Sequence, residues 1–519
     1  MVLLKSVATV GAFTLISRIT GFARDILIAN ALGAGLVADA FFAAFKLPNL
    51  FRRLFAEGAF SAAFVPLYAS TIETDGRTAA NAFATRALST LTMILLAIVG
   101  LIEVVMPWVL LLFAPGFRDV PGKMELAVTL ARITFPYLLF ISIVSLQAGV
   151  LNSLNRFAAA AATPVLLNLS MIAFLVGVTP FTTGPAHALA WGVSAAGLLQ
   201  LVWLSVICAR TGARLALTWP RLDARVRTLL RRIIPVAFGA GLYQINLAID
   251  TVLASLVADG AVSFLYYADR VSQLPLGVVG VAVGTALLPL LSRQIGAGLV
   301  DDAMANQNRA IEFALLLTVP AAVALVVLAS PVVMVLFERG AFGVAERQAT
   351  AAALAAFAVG LPAYVLNKAL TPAFFARHDT VTPVKVAAVA LVANVLLSLL
   401  LMGPLAHVGI ALSSALSAWL NVAVLGGLLY RRKQLRFDAR LKTRLPRLLV
   451  ISLVMGGLLE AGERALAPWL GGPSWLRISA MAVLVSGGLT VFAALAAFSG
   501  TARLSDLKAL RHHGASQES

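Results

Sequence analysis

Apolar stretches of about 20 residues or more, each long enough to cross a bilayer, recur from one end of this 519-residue chain to the other. Within hydrocarbon the backbone polar groups must be satisfied inside the segment itself, so stretches of this kind are helices. Composition agrees: 60% of residues are hydrophobic and 12% charged, against about 25% charged in soluble domains, and the mean hydropathy is +0.94. The expected fold is an all-α polytopic membrane protein with about fourteen transmembrane helices. No A-x-A cleavage site follows a short apolar core near Met1, so the first helix is expected to stay in the membrane.

A formal net charge of +17 raises the question of nucleic acid, and the placement of the charge answers it. With the N-terminus inside, most Lys and Arg fall on cytoplasmic ends and loops, seven of them in Arg210 to Arg232 and eight in Arg431 to Arg447. The opposite side holds Arg118, Lys123, Arg339, Arg347, Arg464 and Arg477. This is the positive-inside asymmetry of a multi-pass membrane protein with both termini cytoplasmic. The expected partners of the basic surface are anionic membrane lipids, and nucleic acid is not one. Cys208 is the single cysteine and the five histidines lack ligand spacing, so no metal or other cofactor is expected.

Charges nevertheless sit inside the apolar segments: Arg18, Arg24 and Asp25 in the first, then Asp39, Lys46, Arg52, Arg53 and Glu57 in the second, and Asp269 and Arg270 halfway along. Each charge at a helix centre costs about 2.5 to 3.5 kcal/mol on insertion. Residues kept there at such a cost face a protein interior or a watery cavity, and they are functional candidates.

The two halves repeat weakly. Phe41-Phe42, Lys46, Pro48 and Pro66 have counterparts in Tyr266-Tyr267, Arg270, Pro275 and Pro289, and Thr163-Pro164-Val165 is matched by Thr382-Pro383-Val384. We therefore expect a pseudo-twofold pair of six-helix lobes, 1–209 and 233–430, joined by a basic cytoplasmic linker, 210–232. A second basic linker, 431–445, leads to two further helices in 446–500, read either as anchors or as a lipid-tail groove. A cytoplasmic tail, 501–519, completes the chain.

The runs Ser17-Arg18-Ile19-Thr20-Gly21-Phe22-Ala23-Arg24-Asp25, Ala38-Asp39-Ala40-Phe41-Phe42 through Lys46-Leu47-Pro48-Asn49-Leu50-Phe51-Arg52-Arg53 to Glu57-Gly58, and Tyr266-Tyr267-Ala268-Asp269-Arg270 resemble the MurJ (MviN) lipid II flippases. The resemblance covers essentially the whole chain and is densest over the first 300 residues. It implies a transporter superfamily that includes multidrug and polysaccharide exporters, built as two lobes that rock about a central cavity. It also implies the substrate, undecaprenyl-diphosphate carrying the peptidoglycan disaccharide-pentapeptide, and marks Arg18, Arg24, Asp39, Arg52 and Arg270 for transport.

Guanidinium groups bind diphosphate and carboxylate oxygens through forked, charge-assisted hydrogen bonds, so Arg18, Arg24, Arg52 and Arg270 are the candidate headgroup ligands. Asp39 is expected to pair with one of these arginines. The alternative is that the charges form ion pairs that hold helices together: Arg24–Asp25, Asp269–Arg270 and Asp39–Lys46. Arg18 and Arg24 lie about 120° apart on a straight helix, so their convergence needs a bend, for which Gly21 is the candidate hinge. Asp39, Lys46 and Arg53 share a stripe of period seven, and Pro48 is the second hinge candidate, rotating the residues beyond it so that Arg52 rather than Arg53 faces the cavity.

No Gly-x4-Gly-Lys-Ser/Thr loop is present, so transport is expected to draw on a gradient or the membrane potential. Asp250, Asn394, Ser398 and Ser413-Ser414 form a candidate sodium or proton site, with a polar cluster between packed helices as the alternative. Rival functions are another exporter of the same superfamily and a membrane transferase of the same pathway. For the transferase no Asp-x-Asp or His/Glu constellation is found. The chain is read as a monomer, with contact to the cell-wall synthesis machinery left open.

Overall fold

The computed structural model describes residues 2–53 and 60–501, and the regular elements among them are helical. In chain order they are α1 (Val2–Leu32), α2 (Leu36–Arg52), α3 (Ser61–Phe113), α4 (Lys123–Thr134), α5 (Tyr137–Ser153), α6 (Phe157–Ala161), α7 (Thr163–Gly177), α8 (Pro185–Arg210) and α9 (Ala224–Ser255). Next come α10 (Ala261–Gly296), α11 (Val300–Val327), α12 (Ala329–Phe337), α13 (Val344–Phe375), α14 (Val381–Arg431), α15 (Ala439–Ala465), α16 (Ala467–Leu470) and α17 (Ser474–Phe498). The expected segments fall on these helices in order. Glu57 and the tail from residue 502 lie outside the described residues.

Among the described residues, nine helical stretches are long and apolar enough to cross a membrane, and two of them, Ala63–Phe113 and Val381–Arg431, run to 51 residues. A helix of that length would span about 76 Å, more than twice the hydrocarbon thickness. Each is broken: Gly76 takes φ 80° in α3, and Ala406 takes φ 49° in α14 just after Pro404. Ala406 is strained there for want of glycine's freedom, while Gly409 packs so closely on the Leu401 carbonyl that a side chain would not fit. Each long run is therefore two helices meeting at a corner. The helices α1, α2, α9 and α10, outside that set of nine, carry the charges expected at membrane depth.

Two units divide the chain, one of residues 1–263 with Arg339–Phe342, the other of Phe264–Glu338 with the chain from Gly343 onward. The division falls after Ser263, and the basic linker 210–232 lies within the first unit. The reason is that the linker and the start of α9 pack on α3. Thr218 N donates to Ser89 Oγ (2.9 Å), Asn81 Nδ2 to Gly212 O (3.2 Å), and Arg86 pairs with Asp223 (3.1 Å). Val226 and Leu229 of α9 then join the core of Phe60, Phe64, Tyr68 and Phe83, whose rings stack 5.2 to 5.6 Å apart.

Both basic linkers end in an aspartate that caps the next helix. Asp223 accepts from Val226 N (2.8 Å) to start α9, and Asp438 accepts from Leu441 N (2.7 Å) to start α15. In the second unit α15 buries Leu441, Arg444, Leu448, Ile451, Met455 and Leu459, the three- and four-residue spacing of one helical face. That face meets α11, where Glu312 accepts from Arg444 (2.5 Å) and Arg440 (3.1 Å). α15 thus packs into the core of its unit.

Candidate functional site

In the first unit, Arg24 of α1 is buried against α7. Its Nη2 and Nε donate to Asp25 Oδ1 (2.7 and 3.1 Å), its Nη1 to Asn168 Oδ1 (2.9 Å), and its guanidinium lies 5.6 Å from the Phe45 ring centre. Asn168 in turn donates to Ser17 O (3.0 Å) and Thr20 Oγ1 (3.2 Å), fastening the seam. Gly21 faces the same amide, and a Cβ there would come within 3.2 Å of Asn168 Nδ2. α1 runs through Gly21 as one continuous helix. Arg18 is exposed, between exposed Leu15 and Ile19, while Arg24 is buried, so the two arginines meet different surroundings. What Gly21 supplies is room for Asn168.

Along α2 the charges find partners that the sequence did not name. Asp39 pairs with Lys123 of α4 and not with an arginine or Lys46; Nζ lies 2.8 Å from its Oδ2. The same carboxylate accepts from Gly260 N (2.8 Å), Ser263 N (2.8 Å) and Ser263 Oγ (2.5 Å), which places it on the first turn of α10. A carboxylate there meets the positive end of the helix and satisfies amides that have no partner within it. Lys123, expected on the outer surface, is buried and also reaches Asp259 (2.7 Å). Lys46 donates to Thr251 Oγ1 of α9 (3.3 Å).

α2 continues through Pro48 as a helix. Proline has no N–H to give the carbonyl four residues back, and that carbonyl, Ala44 O, accepts instead from Thr134 Oγ1 of α4 (3.1 Å). Beyond it, Arg52 is half-buried with Nε donating to Asn49 Oδ1 (3.1 Å), while Arg53 is exposed.

In the second unit, Arg270 of α10 lies with its guanidinium 4.8 Å from the Tyr266 ring centre, a cation–π contact that fixes the plane of the fork. Asp269 accepts from Gln273 Nε2, and Ser272 Oγ donates to the Asp269 carbonyl (2.9 Å). Tyr267 is buried on Phe337. The polar residues of α14 lie together across its corner: Ser398 and Ser413 hydroxyls are 2.5 Å apart, and Ser414 Oγ donates to Asn394 Oδ1 (3.5 Å). Asp250 belongs to the first unit, these four to the second. Among the described residues no three His, Cys, Asp or Glu side chains are grouped to hold a metal ion.

Chemically, each unit offers guanidinium donors on its helices: Arg18 and Arg52 in the first, Arg270 in the second. Lys123, Asn168 and Thr134 are residues that the sequence did not single out. For Asn168 a signal existed, a lone amide in an otherwise apolar helix. Lys123 comes directly after Pro121-Gly122 and reads as a loop charge.

The profile of the family described as Lipid II flippase MurJ matches residues 28–478. A probable lipid II flippase MurJ of Rhizobium tropici is 46% identical over 507 residues, covering 96% of this chain and 93% of the relative. Among solved structures, a lipid II flippase MurJ in an inward closed conformation is similar with a TM-score of 0.79 at 24% identity, covering 94% of this chain and 98% of the other. An inward-facing multidrug resistance MATE family transporter of the MOP superfamily is similar with a TM-score of 0.67 at 15% identity, covering 80% and 94%. At these identities the two structures speak for the fold, an all-helical polytopic membrane architecture.

Proposed function

This chain belongs to the lipid II flippase MurJ family, whose members are membrane transporters and not enzymes, and from that premise we propose that it carries lipid II from the inner to the outer leaflet of the bacterial cytoplasmic membrane for cell-wall synthesis. The observation that carries the reading is the set of arginines at membrane depth that are exposed or half-buried: Arg18, Arg52 and Arg270. They are the proposed diphosphate and carboxylate donors, because forked guanidinium bonds match those oxygens. Arg24, enclosed by Asp25 and Asn168, acts as a positioning residue that sets α1 against α7. Asp39 and Lys123 do the same for α2, α4 and the start of α10.

The transport cycle is proposed to be alternating access without nucleotide hydrolysis. An inside-negative membrane favours outward movement of an anion by about 2.3 kcal/mol per charge per 100 mV. The chain works as a monomer, with both termini and both basic linkers cytoplasmic and with lipid II and anionic lipids as its partners. Impermeant labelling in a Cys208-free background, from single cysteines at Gly35, Thr183 and Gly472, tests the orientation; protection of all three in intact cells overturns it.

Purified protein in liposomes loaded with lipid II on one leaflet tests the activity. Headgroups are expected to become accessible on the other face with their chemistry unchanged. An altered product would assign the chain to transferase chemistry, and no change in accessibility would remove the flippase reading.

A further inference from the structure

At one end of the second unit, the segment after α12, the last turn of α15, α16 and the first turns of α13 and α17 enclose an open cavity of about 590 Å³, the size of a small-ligand site. Val327, Pro331, Met334 and Leu470 give it an apolar wall. Its polar groups are sorted by sign. Arg347 and Arg477, in the first turns of α13 and α17, both reach Glu338, at 2.8 and 3.2 Å. One carboxylate for two guanidiniums leaves that side positive, and arginine in a first turn adds to the helix dipole instead of opposing it.

On the other side the last turn of α15 presents Glu460, Glu463 and Arg464, with Arg464 held by Glu460 (2.7 Å). The remaining carboxylate, at the negative end of the α15 dipole, makes this side anionic. Over all six charged side chains the cavity is neutral but polarised. Trp469 and Trp475, close in sequence to lining residues, are exposed, as aromatic residues are where a membrane meets water.

An apolar wall beneath two opposite charges fits an amphiphile whose headgroup carries both signs. We propose that this cavity binds a zwitterionic glycerophospholipid, with its phosphate toward Arg347 and Arg477, its ammonium toward Glu460 and Glu463, and its acyl chains along the apolar wall. A purely anionic headgroup would place like charge against Glu463. Phosphate is the natural ligand of the arginine side, because it accepts forked guanidinium bonds. The inference stands apart from the transport reading, since none of these residues is assigned to the lipid II headgroup.

The test adds dioleoylphosphatidylethanolamine or dioleoylphosphatidylglycerol to the purified full-length protein in detergent and measures retained lipid by native mass spectrometry. The ethanolamine lipid is expected to be held about tenfold more tightly. Glu460→Lys with Glu463→Lys should reverse the order, and the milder Glu463→Gln should abolish the preference. Glu460→Lys breaks one exposed i,i+4 pair with Arg464, of little worth to folding, and Glu463→Gln leaves that pair intact. Equal retention of both lipids, preference for the glycerol lipid in the parent protein, or an unchanged preference in the variants overturns the proposal.

Discussion

Lys123 Nζ sits between two carboxylates, 2.8 Å from Asp39 and 2.7 Å from Asp259, with its side chain 2% exposed. Breaking a buried pair by removing one partner costs about 3 to 5 kcal/mol, because the other charge is left uncompensated. Lys123→Met is therefore expected to lower the thermal midpoint of the purified protein and to reduce transport. Adding Asp39→Asn removes the uncompensated charge and should recover part of the midpoint, the rest staying lost because an amide cannot accept from Gly260 N and from Ser263 with both of its atoms as the carboxylate does. A Lys123→Met protein that melts with the parent would show that the contact carries no stability.

Arginines that look alike in the sequence should separate by assay. Arg24→Ala leaves Asp25 and Asn168 without their donor inside a buried seam, so its loss should appear as reduced abundance and a lower midpoint. Arg18→Ala, Arg52→Ala and Arg270→Ala should keep normal abundance and lose lipid II translocation, and lysine should rescue them poorly because it lacks the fork. Restored flipping in Asp269→Asn with Arg270→Gln would reassign Arg270 to helix packing.

Transport in proteoliposomes is expected to follow an imposed potential, by about 2.3 kcal/mol per charge per 100 mV. Asp250→Asn should change the sodium or pH dependence of that transport and leave lipid II binding intact. Parent-like rates for Asp250→Ala at every sodium concentration and pH would end the cation role of Asp250.

Between α13 and α14, the Thr382 hydroxyl and amide and then Arg432 hold the Asp379 carboxyl below the usual carboxylate range, at about 2. Asp379 thereby ties the start of α14 to the residue after its end, with Arg432 Nη1 donating at 2.7 Å. A pKa lower in the folded chain than in the unfolded one stabilises the fold above the unfolded value, and that contribution is lost as pH falls through the folded one. Asp379→Asn should thus lower the midpoint by a constant amount above about pH 5. The difference from the parent should shrink as pH drops from about 4 towards 2, and melting curves of both proteins across that range check it.

The helices, and the charges that do not belong in them, were legible because both are local properties: the length of an apolar run and the presence of Arg18, Asp39 or Arg270 within it. The partners were not, because they come from far along the chain. Asp39 and Lys123 are 84 residues apart and Arg24 and Asn168 are 144, distances over which periodicity says nothing about contact. Arg18 and Arg24, six residues apart on one helix, differ in surroundings because one faces Asn168 of α7 and the other does not. The packing of the basic linker on α3 is invisible for a similar reason, since it leaves no mark in the linker's own composition.

The proline in α2 has a consequence for how the chain is made. Until α4 arrives, α2 carries an orphaned Ala44 carbonyl and an unpaired Asp39, and each is costly in hydrocarbon. Thr134 and Lys123, at the two ends of α4, relieve both. α2 is therefore better settled in the membrane with α4 beside it than alone, for the sake of one carbonyl and one carboxylate.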